Sequence, residues 1–302
     1  MAELRNAIHL DEIGSLFTDG SEVRPELSSP GFDPATDAFL VFASSGELVG
    51  SLLVWAEAPF TRIYLDNYVH PDWRGHGIGT LLLDRSEARA AQIAMQAPDG
   101  KRVVLHHGVW LGARSAEQFF AERGYELVRY FHALDINMSE SPPEALCPPG
   151  IDVRTIDPGS DDRALYEAEM DAFKDHWGFV RHSFELWKHE VIGSDRFDPT
   201  LFFVAEDQGE IAGSALCQVG NADDPEAGHV ASLSVRRPWR RRGIALALLR
   251  HSFEELFRRG YRRVTTGVDS ANPTGAVQLY ERAGVHTFRQ HVVFENVLEA
   301  GS

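Results

Sequence analysis

LDNYVHPDWRGHGIGTLL, residues 65–82, is matched later in the chain by LSVRRPWRRRGIALALL, residues 233–249. Each stretch has an apolar strand-like segment, a turn with Pro and Trp, a loop rich in Arg and Gly, and the start of an amphipathic helix. Gly77 and Gly243 take corresponding places, 166 residues apart. We therefore expect the same strand–loop–helix unit at both places.

A second pair of stretches follows in the same order. AEQFFAERGY, residues 116–125, corresponds to AVQLYERAGV, residues 276–285. Gly124 and Gly284 are 160 residues apart, close to the first offset. Two matches at nearly one offset indicate two copies of one domain, with two unrelated strand–turn–helix units as the alternative.

The segment SESPPEALCPPG, residues 139–150, separates the copies because its prolines interrupt helices and central strands. We predict one domain at residues 1–138, a linker at 139–150 and a second domain at 151–302. The order of strands and helices predicts an α/β fold, with a mixed sheet flanked by helices in each copy. In the first copy we expect the opening helices to be reduced to a short one near residues 10–17.

Composition excludes several classes of protein. Of the 302 residues, 43% are hydrophobic and 25% charged, as in a globular protein, and the net charge of −16 argues against nucleic acid or anionic membranes as partners. Two cysteines do not make a disulfide framework, and the N-terminus lacks the apolar core of a signal peptide. We expect a cytoplasmic protein without a membrane span. The spacing of His106 and His107 matches no common metal site, so we expect no metal.

Both Arg- and Gly-containing loops fit an anion. A loop that opens a helix exposes unpaired N–H groups at the positive end of the helix dipole, glycine permits close approach, and arginine binds phosphate bidentately. A localisation-type basic run or a solvated surface would explain the arginines alone, but neither explains the preceding strand and the following glycine. The two loops are Arg74-Gly75-His76-Gly77-Ile78-Gly79 and Arg240-Arg241-Arg242-Gly243-Ile244-Ala245.

These loops resemble the acetyl-CoA pyrophosphate motif of the GNAT superfamily of N-acetyltransferases, which reads Arg or Gln, two residues, Gly, one residue, then Gly or Ala. The strand before the loop and the later helix that follows Asn272 and contains Tyr280 are similar as well. The resemblance implies two tandem GNAT-type domains and the transfer of an acetyl group from acetyl-CoA to a primary amine of a small molecule. The tandem arrangement also resembles the mycothiol synthases of actinobacteria.

The resemblance implies specific coenzyme contacts. In GNAT enzymes the strand before the loop separates from its neighbour, and the pantetheine arm lies in the gap. In the second copy the implied coenzyme-binding residues are Leu233, Ser234, Val235, Arg240, Arg241, Arg242, Gly243, Ile244, Ala245 and Asn272. In the first copy they are Val69, Arg74, Gly75, His76, Gly77, Ile78, Gly79 and Thr80. The Val235 N–H would also face the thioester carbonyl.

The same resemblance implies a proton donor and suggests a base. Tyr280 takes the place of the family's tyrosine, which protonates the departing thiolate, although a core tyrosine is the alternative. His229 lies six residues before Val235, where mycothiol synthases place a carboxylate; it is either a base or a surface histidine of an edge strand. The first copy has Phe120 and Gly112 in place of Tyr280 and Asn272. We therefore expect the second domain to be catalytic and the first to bind CoA without efficient chemistry.

The acceptor is least determined by the sequence. Asp175, His176 and Trp177 follow the first helix of the second copy, where GNAT enzymes build the acceptor pocket. We therefore expect Asp175 to hold a cationic amine, His176 to shuttle protons and Trp177 to form an apolar wall. A helix end capped by Gly178, with a buried Trp, is the alternative. Further hypotheses are a mycothiol-synthase-like enzyme, an antibiotic or peptide amine acetyltransferase, and a non-catalytic acyl-CoA sensor or scaffold. Both a monomer with an internal pseudo-dimer and a homodimer are compatible with the tandem copies.

Overall fold

The computed structural model describes residues 1–16, 18, 20–21, 23–220, 224–272 and 274–298. Its contacts divide the chain into two compact units. The N-terminal unit comprises residues 1–130 together with the segment from residue 290 onward, and the C-terminal unit comprises residues 131–289. Among the described helices, none has the length and hydropathy needed to cross a membrane.

In the N-terminal unit the helices surround a mixed sheet. The helices are α1 (Ala2–Ile13), α2 (Val23–Leu27), α3 (Pro34–Asp37), α4 (Ile78–Ala94) and α5 (Arg114–Glu122). The strands of the first copy are β1 (Ala38–Phe42), β2 (Leu48–Ala56), β3 (Arg62–Val69), β4 (Val103–Trp110) and β5 (Glu126–Asn137). Only the start of β5, up to residue 130, belongs to this unit.

The second copy repeats this order. Its strands are β6 (Asp152–Thr155), β7 (Phe202–Asp207), β8 (Glu210–Val219), β9 (Ala227–Val235), β10 (Arg263–Asp269) and β11 (His286–Leu298). Its helices are α6 (Asp162–Phe173), α7 (Phe184–Trp187), α8 (Ile244–Arg258) and α9 (Ala276–Arg282), and a π-helical turn, Lys188–Ile192, follows α7. This mixed α/β architecture in both copies is the predicted fold.

The last strand of each sequence copy pairs within the unit built from the other copy. Residues 291–298 of β11 pair antiparallel with β4, and residues 131–137 of β5 pair antiparallel with β10. The contact units therefore divide the chain at 130/131 and 289/290, not at the predicted linker. Residues 139–150 contain no regular element and belong to the C-terminal unit, where the Ala145 N–H donates to Glu254 at 2.7 Å.

The opening helix of the first copy is longer than expected. The prediction of a short helix near residues 10–17 was wrong. The helix α1 spans Ala2–Ile13 and ends at Gly14, which has the left-handed conformation. Residue 17 lies outside the described residues. Leu4 and Ile8, one helical turn apart, are buried, and so is Arg5. A buried arginine on the inner face interrupts the apolar pattern, which hides the helix from a reading of hydrophobic periodicity.

Candidate active site

Two parallel strands of the C-terminal unit separate just before the arginine-rich loop. Strands β9 and β10 pair through four partners, ending at Val230 and Thr266. In the pairing of β8 with β9, Leu216 lies opposite Ser232 and Cys217 opposite Val230, so Ala231 is an extra, bulged residue. Beyond that point, among the described residues, β9 and β10 no longer pair, which leaves a gap between the two strands.

The Val235 N–H points into this gap. Arg236 N donates to the Ala212 carbonyl at 2.9 Å, across to the neighbouring strand β8. In an antiparallel pair, successive residues direct their backbone groups to opposite sides, so the N–H of Val235 faces away from β8. The N-terminal unit repeats the arrangement, because His70 N donates to the Val49 carbonyl and leaves the Val69 N–H directed toward β4.

A cavity of about 750 Å³ occupies this gap and reaches the start of α8. Its walls come from the end of β9, the loop, the residues before and within α9, and the C-terminal end of α6. The lining residues predicted from the sequence are Leu233, Ser234, Val235, Arg240, Arg241, Gly243, Ile244, Ala245, Asn272, Tyr280, Asp175 and His176. Of the predicted coenzyme ligands in this copy, Arg242 does not line the cavity and instead donates to Asp207 at 3.1 Å.

The loop backbone is shaped for an anion. Arg241 and Gly243 both have left-handed φ, +63° and +88°, and Gly243 is the N-cap of α8. In the N-terminal unit Gly75 and Gly77 also have left-handed φ, +78° and +79°, and Gly77 is the N-cap of α4. Alternation of left- and right-handed residues turns successive N–H groups toward one point, which makes an anion-binding concavity.

The arginine side chains around the loop are largely satisfied within the chain. Arg240 donates to Asp175 at 2.9 Å, to the Ala172 carbonyl at 2.8 Å and to the Val235 carbonyl at 3.1 Å. Arg237 donates to the same carboxylate at 2.5 Å. The two arginines hold the pKa of Asp175 below its ordinary value. Asp175 therefore supports the loop, and it also lines the cavity in which the sequence predicts the acceptor amine.

Tyr280 lies at the inner end of the cavity. Its side chain is buried, and its hydroxyl is 3.4 Å from Thr266 Oγ1, which donates to the Val230 carbonyl at 2.9 Å. Val230 and Thr266 are the last paired residues of β9 and β10 before these strands separate. Burial raises the pKa of Tyr280 above its ordinary value, so the hydroxyl keeps its proton and is available as a donor.

His229 lies on the opposite face of the sheet. Since side chains alternate along a strand, His229 and its partner Thr265 face away from Val230 and Tyr280. The imidazole Nδ1 is 2.9 Å from Thr265 Oγ1, and burial lowers the pKa of His229, which favours the neutral ring. His229 does not line the cavity that contains Tyr280.

His176 and Trp177, the other two residues predicted for the acceptor pocket, lie in different surroundings. His176 lines the cavity and packs edge-on against Phe173, with ring centroids 4.7 Å apart; burial lowers its pKa. Trp177 lies away from the cavity and packs near Phe131 of β5. Asn272 lines the cavity, and its side-chain oxygen accepts from the Thr274 N–H at 2.8 Å, which fixes the turn before α9.

A buried carboxylate that the sequence analysis did not select lies under β9. Glu169 of α6 is 4% exposed and accepts from Ser232 Oγ at 2.6 Å and from Trp187 Nε1 at 3.0 Å. The hydroxyls of Ser214 and Ser234 extend this network, 2.8 Å from each other. A glutamate on the apolar face of a helix is the signal that could have revealed it, because an unpaired buried carboxylate is costly.

Glu169→Gln should change how stability depends on pH. Burial raises the pKa of Glu169 above its ordinary value of 4.5, so the folded state binds its proton more tightly than the unfolded state. Its contribution is therefore complete below pH 4.5 and decreases as pH rises toward the folded pKa. We expect the unfolding free energy of the parent protein, relative to the Gln variant, to fall from about pH 4 to 7 in urea titrations. A constant or rising difference would contradict this.

The N-terminal unit contains a corresponding cleft. Strands β3 and β4 pair through three partners, ending at Tyr64 and His106, and then separate around a cavity of about 700 Å³. The predicted residues that line it are Val69, Arg74, Gly75, Gly77, Gly79 and Thr80. His76 turns its Nδ1 toward the carbonyls of Trp73 and Arg74, and Ile78 packs on the core. Arg74 donates to Asp11 at 2.6 Å and to Glu12 at 3.2 Å.

Comparison with known proteins identifies both copies. Residues 163–285 match the acetyltransferase (GNAT) family model, and residues 35–127 match a second acetyltransferase (GNAT) domain model. A mycothiol acetyltransferase of Thermobispora bispora is 30% identical over 86% of this chain and 84% of its own length. The mycothiol acetyltransferase of Streptomyces coelicolor is also 30% identical, over 84% of this chain and 78% of its own length.

Solved structures show the same tandem fold. A GCN5-related N-acetyltransferase from Sphaerobacter thermophilus is 34% identical, with a TM-score of 0.79 over 100% of this chain and 92% of that one. A tandem GNAT protein from the clavulanic acid biosynthesis pathway shares the fold at 17% identity, with a TM-score of 0.70 over 100% of this chain and 94% of that one. The chain therefore belongs to the acetyltransferase (GNAT) family, as a tandem-domain acetyltransferase that resembles the mycothiol acetyltransferases.

Proposed function

We propose that the protein transfers an acetyl group from acetyl-CoA to a primary amine of a small molecule, and that the C-terminal unit performs the transfer. Acyl-CoA is the donor that GNAT acetyltransferases use. The observation on which the proposal rests is the position of the Tyr280 hydroxyl, at the inner end of a cleft that leads from the anion-binding loop. The N-terminal unit has Phe120, which lacks a hydroxyl, at the matching place.

The residues of the C-terminal unit divide the chemistry as follows. The loop N–H groups hold the pyrophosphate, and the gap beside β9 orients the pantetheine arm. The neutral amine attacks the thioester carbonyl, a C–N bond forms, and the Val235 N–H stabilises the negative charge that develops on the oxygen. The C–S bond then breaks, and Tyr280 donates its proton to the sulfur.

The proton lost by the amine leaves on the other face of the sheet. His229 faces that side, opposite Tyr280, and its lowered pKa favours the neutral ring that a base requires. An amine that approaches from the His229 face and a thiolate that departs toward Tyr280 would use separate groups for the two proton transfers. Tyr280 is then restored by a proton from solvent.

The acceptor to test first is an amine related to mycothiol, because the relatives at about 30% identity are mycothiol acetyltransferases. Antibiotic and peptide amines are the alternatives. His229 replaces the carboxylate that the resemblance implied at this position, which argues for an acceptor that differs in its contacts there.

A matched pair of substitutions tests which unit is active. Ala245 and Gly79 are the second helical residues of α8 and α4, where a carboxylate suits the helix dipole but repels the pyrophosphate. A Cβ at Gly79 would meet Phe119 at an ordinary 3.7 Å, and Ala245 already carries a Cβ, so the helix accommodates a β-carbon at both positions. We expect Ala245→Asp to lower acetyl transfer by at least ~10-fold and Gly79→Asp by less than ~3-fold.

The measurement is release of CoA thiol from acetyl-CoA with a panel of amines, alongside calorimetric titration with CoA. Loss of transfer in Gly79→Asp but not in Ala245→Asp would place the chemistry in the N-terminal unit. Coenzyme binding without thiol release for any amine in the panel would instead favour the acyl-CoA sensor or scaffold.

A further inference from the structure

Two arginine side chains in the wall of the C-terminal cleft have no partner among the described residues. Arg241 of the loop and Arg282 of α9 both line the cavity, and both are exposed. Neither guanidinium takes part in a hydrogen bond, an ion pair or a ring contact within the part of the chain that the structure describes. Arg240 and Arg242, by contrast, each bind an aspartate. The cleft wall therefore carries two positive charges that no described carboxylate neutralises.

The backbone at Arg241 has a conformation that suits glycine. Its φ is +63°, and the corresponding residue of the N-terminal unit, Gly75, has a φ of +78°. Left-handed backbone is unfavourable for a residue that carries a Cβ. Since no contact of the Arg241 side chain with the described residues offsets this cost, the departure from glycine points to a role in binding.

The two clefts differ in charge at both places. In the alignment of the repeats, Gly75 takes the place of Arg241, and Glu122 takes the place of Arg282. Two arginines give a charge of +2 in the C-terminal unit, whereas a glycine and a glutamate give −1 in the N-terminal unit. Arg123, the residue after Glu122, is bound to side chains of α4 and does not line the N-terminal cavity. The extra positive charge is therefore a property of the C-terminal cleft.

Coenzyme A has a third phosphate group, beyond the two of its pyrophosphate. The left-handed loop and the start of α8 supply N–H groups for the pyrophosphate. The 3′-phosphate stands on the ribose that is joined to this pyrophosphate, and a phosphate monoester carries about two negative charges at neutral pH. Arginine binds phosphate through bidentate, permanently charged hydrogen bonds, so two free guanidiniums beside the loop suit this group.

We propose that the side chains of Arg241 and Arg282 bind the 3′-phosphate and make the C-terminal cleft selective for coenzyme A over dephospho-coenzyme A. The inference rests on the proposed function, in which this cleft binds the donor of the acetyl group. It adds a specificity that the loop backbone does not provide, because the two coenzymes have the same pyrophosphate and the same pantetheine arm. Acetyl-dephospho-CoA is therefore the poorer donor.

The test compares CoA with dephospho-CoA by calorimetry, in the full chain that carries Gly79→Asp to block the N-terminal cleft. We expect CoA to bind about tenfold more tightly, because both arginines make charge-assisted hydrogen bonds with the 3′-phosphate at an exposed site. Arg241→Gly and Arg282→Glu each introduce the residue of the N-terminal copy, and together they should abolish the preference for CoA. Added salt should weaken the preference as well.

Arg242→Ala is the matched control, because it removes a positive charge from the same loop but not a side chain that lines the cavity. It should leave the ratio of the two affinities within ~2-fold of the parent's.

The outcomes separate this inference from the proposed function. Equal affinity of the parent for CoA and dephospho-CoA overturns the 3′-phosphate contact alone, and this comparison needs no folded arginine variant. An equal effect of Arg241→Gly and Arg282→Glu on both ligands has the same meaning. No binding of either ligand, or binding that survives Ala245→Asp, overturns the C-terminal coenzyme site and with it both proposals.

Discussion

Tyr280→Phe should lower the turnover number for acetyl transfer by roughly 10²- to 10⁴-fold, the usual contribution of a positioned general acid. The substitution removes one oxygen from a buried ring, so the cleft and the helix α9 should keep their shape. The thiolate would then depart without a proton donor. We expect the affinity for acetyl-CoA to change by less than ~3-fold, because the loop and the β9 backbone bind the coenzyme.

The matched variant is Phe120→Tyr in the N-terminal cleft. It adds a hydroxyl at the corresponding position, but the base candidate and the acceptor contacts of the C-terminal unit are not reproduced there. We expect Phe120→Tyr not to restore transfer when combined with Tyr280→Phe. Single-turnover measurements of thiol release would compare the variants, and a Tyr280→Phe enzyme within threefold of the parent would refute the assignment.

Glu169→Ala should destabilise the C-terminal unit by about 3 kcal/mol. The substitution leaves the hydroxyl of Ser232 and the indole N–H of Trp187 without their buried acceptor, and it opens a cavity between α6 and β9. Urea unfolding followed by tryptophan fluorescence measures this, since Trp187 is one of the hydrogen-bond donors to Glu169.

Glu167→Ala is the control, two residues earlier on the same helix. Glu167 is about half exposed and pairs with the similarly exposed Arg181, an arrangement that contributes ~0–1 kcal/mol. If Glu169→Ala costs no more than this control, the network under β9 has no structural role.

The fold class, the tandem copies and the family were predictable because they depend on local patterns. A strand, a left-handed turn and a helix N-terminus each require particular residue types close together in sequence. Gly77 and Gly243 show this: both have positive φ and both precede a helix, at the places the motif predicted. The acetyltransferase activity follows from the same motifs and agrees with the comparisons.

The roles of charged side chains were less predictable. Asp175 lines the cavity, and its carboxylate is held by Arg237 and Arg240, whose distance from it across the loop the sequence does not give. Glu169 escaped selection for a similar reason. Whether a buried polar atom has a partner depends on residues far along the chain, which the helix or strand containing it does not specify.

The sequence by itself determined that this protein repeats one strand–loop–helix acetyltransferase domain, because each repeat is encoded within a short window by glycine, arginine and hydrophobic spacing. Only the tertiary structure decided that β11 joins β4 and that β5 joins β10. The strands β4 and β10 each pair through backbone N–H and C=O groups, which carry no residue identity. The choice between these strands therefore depends on long-range packing, which no local pattern records.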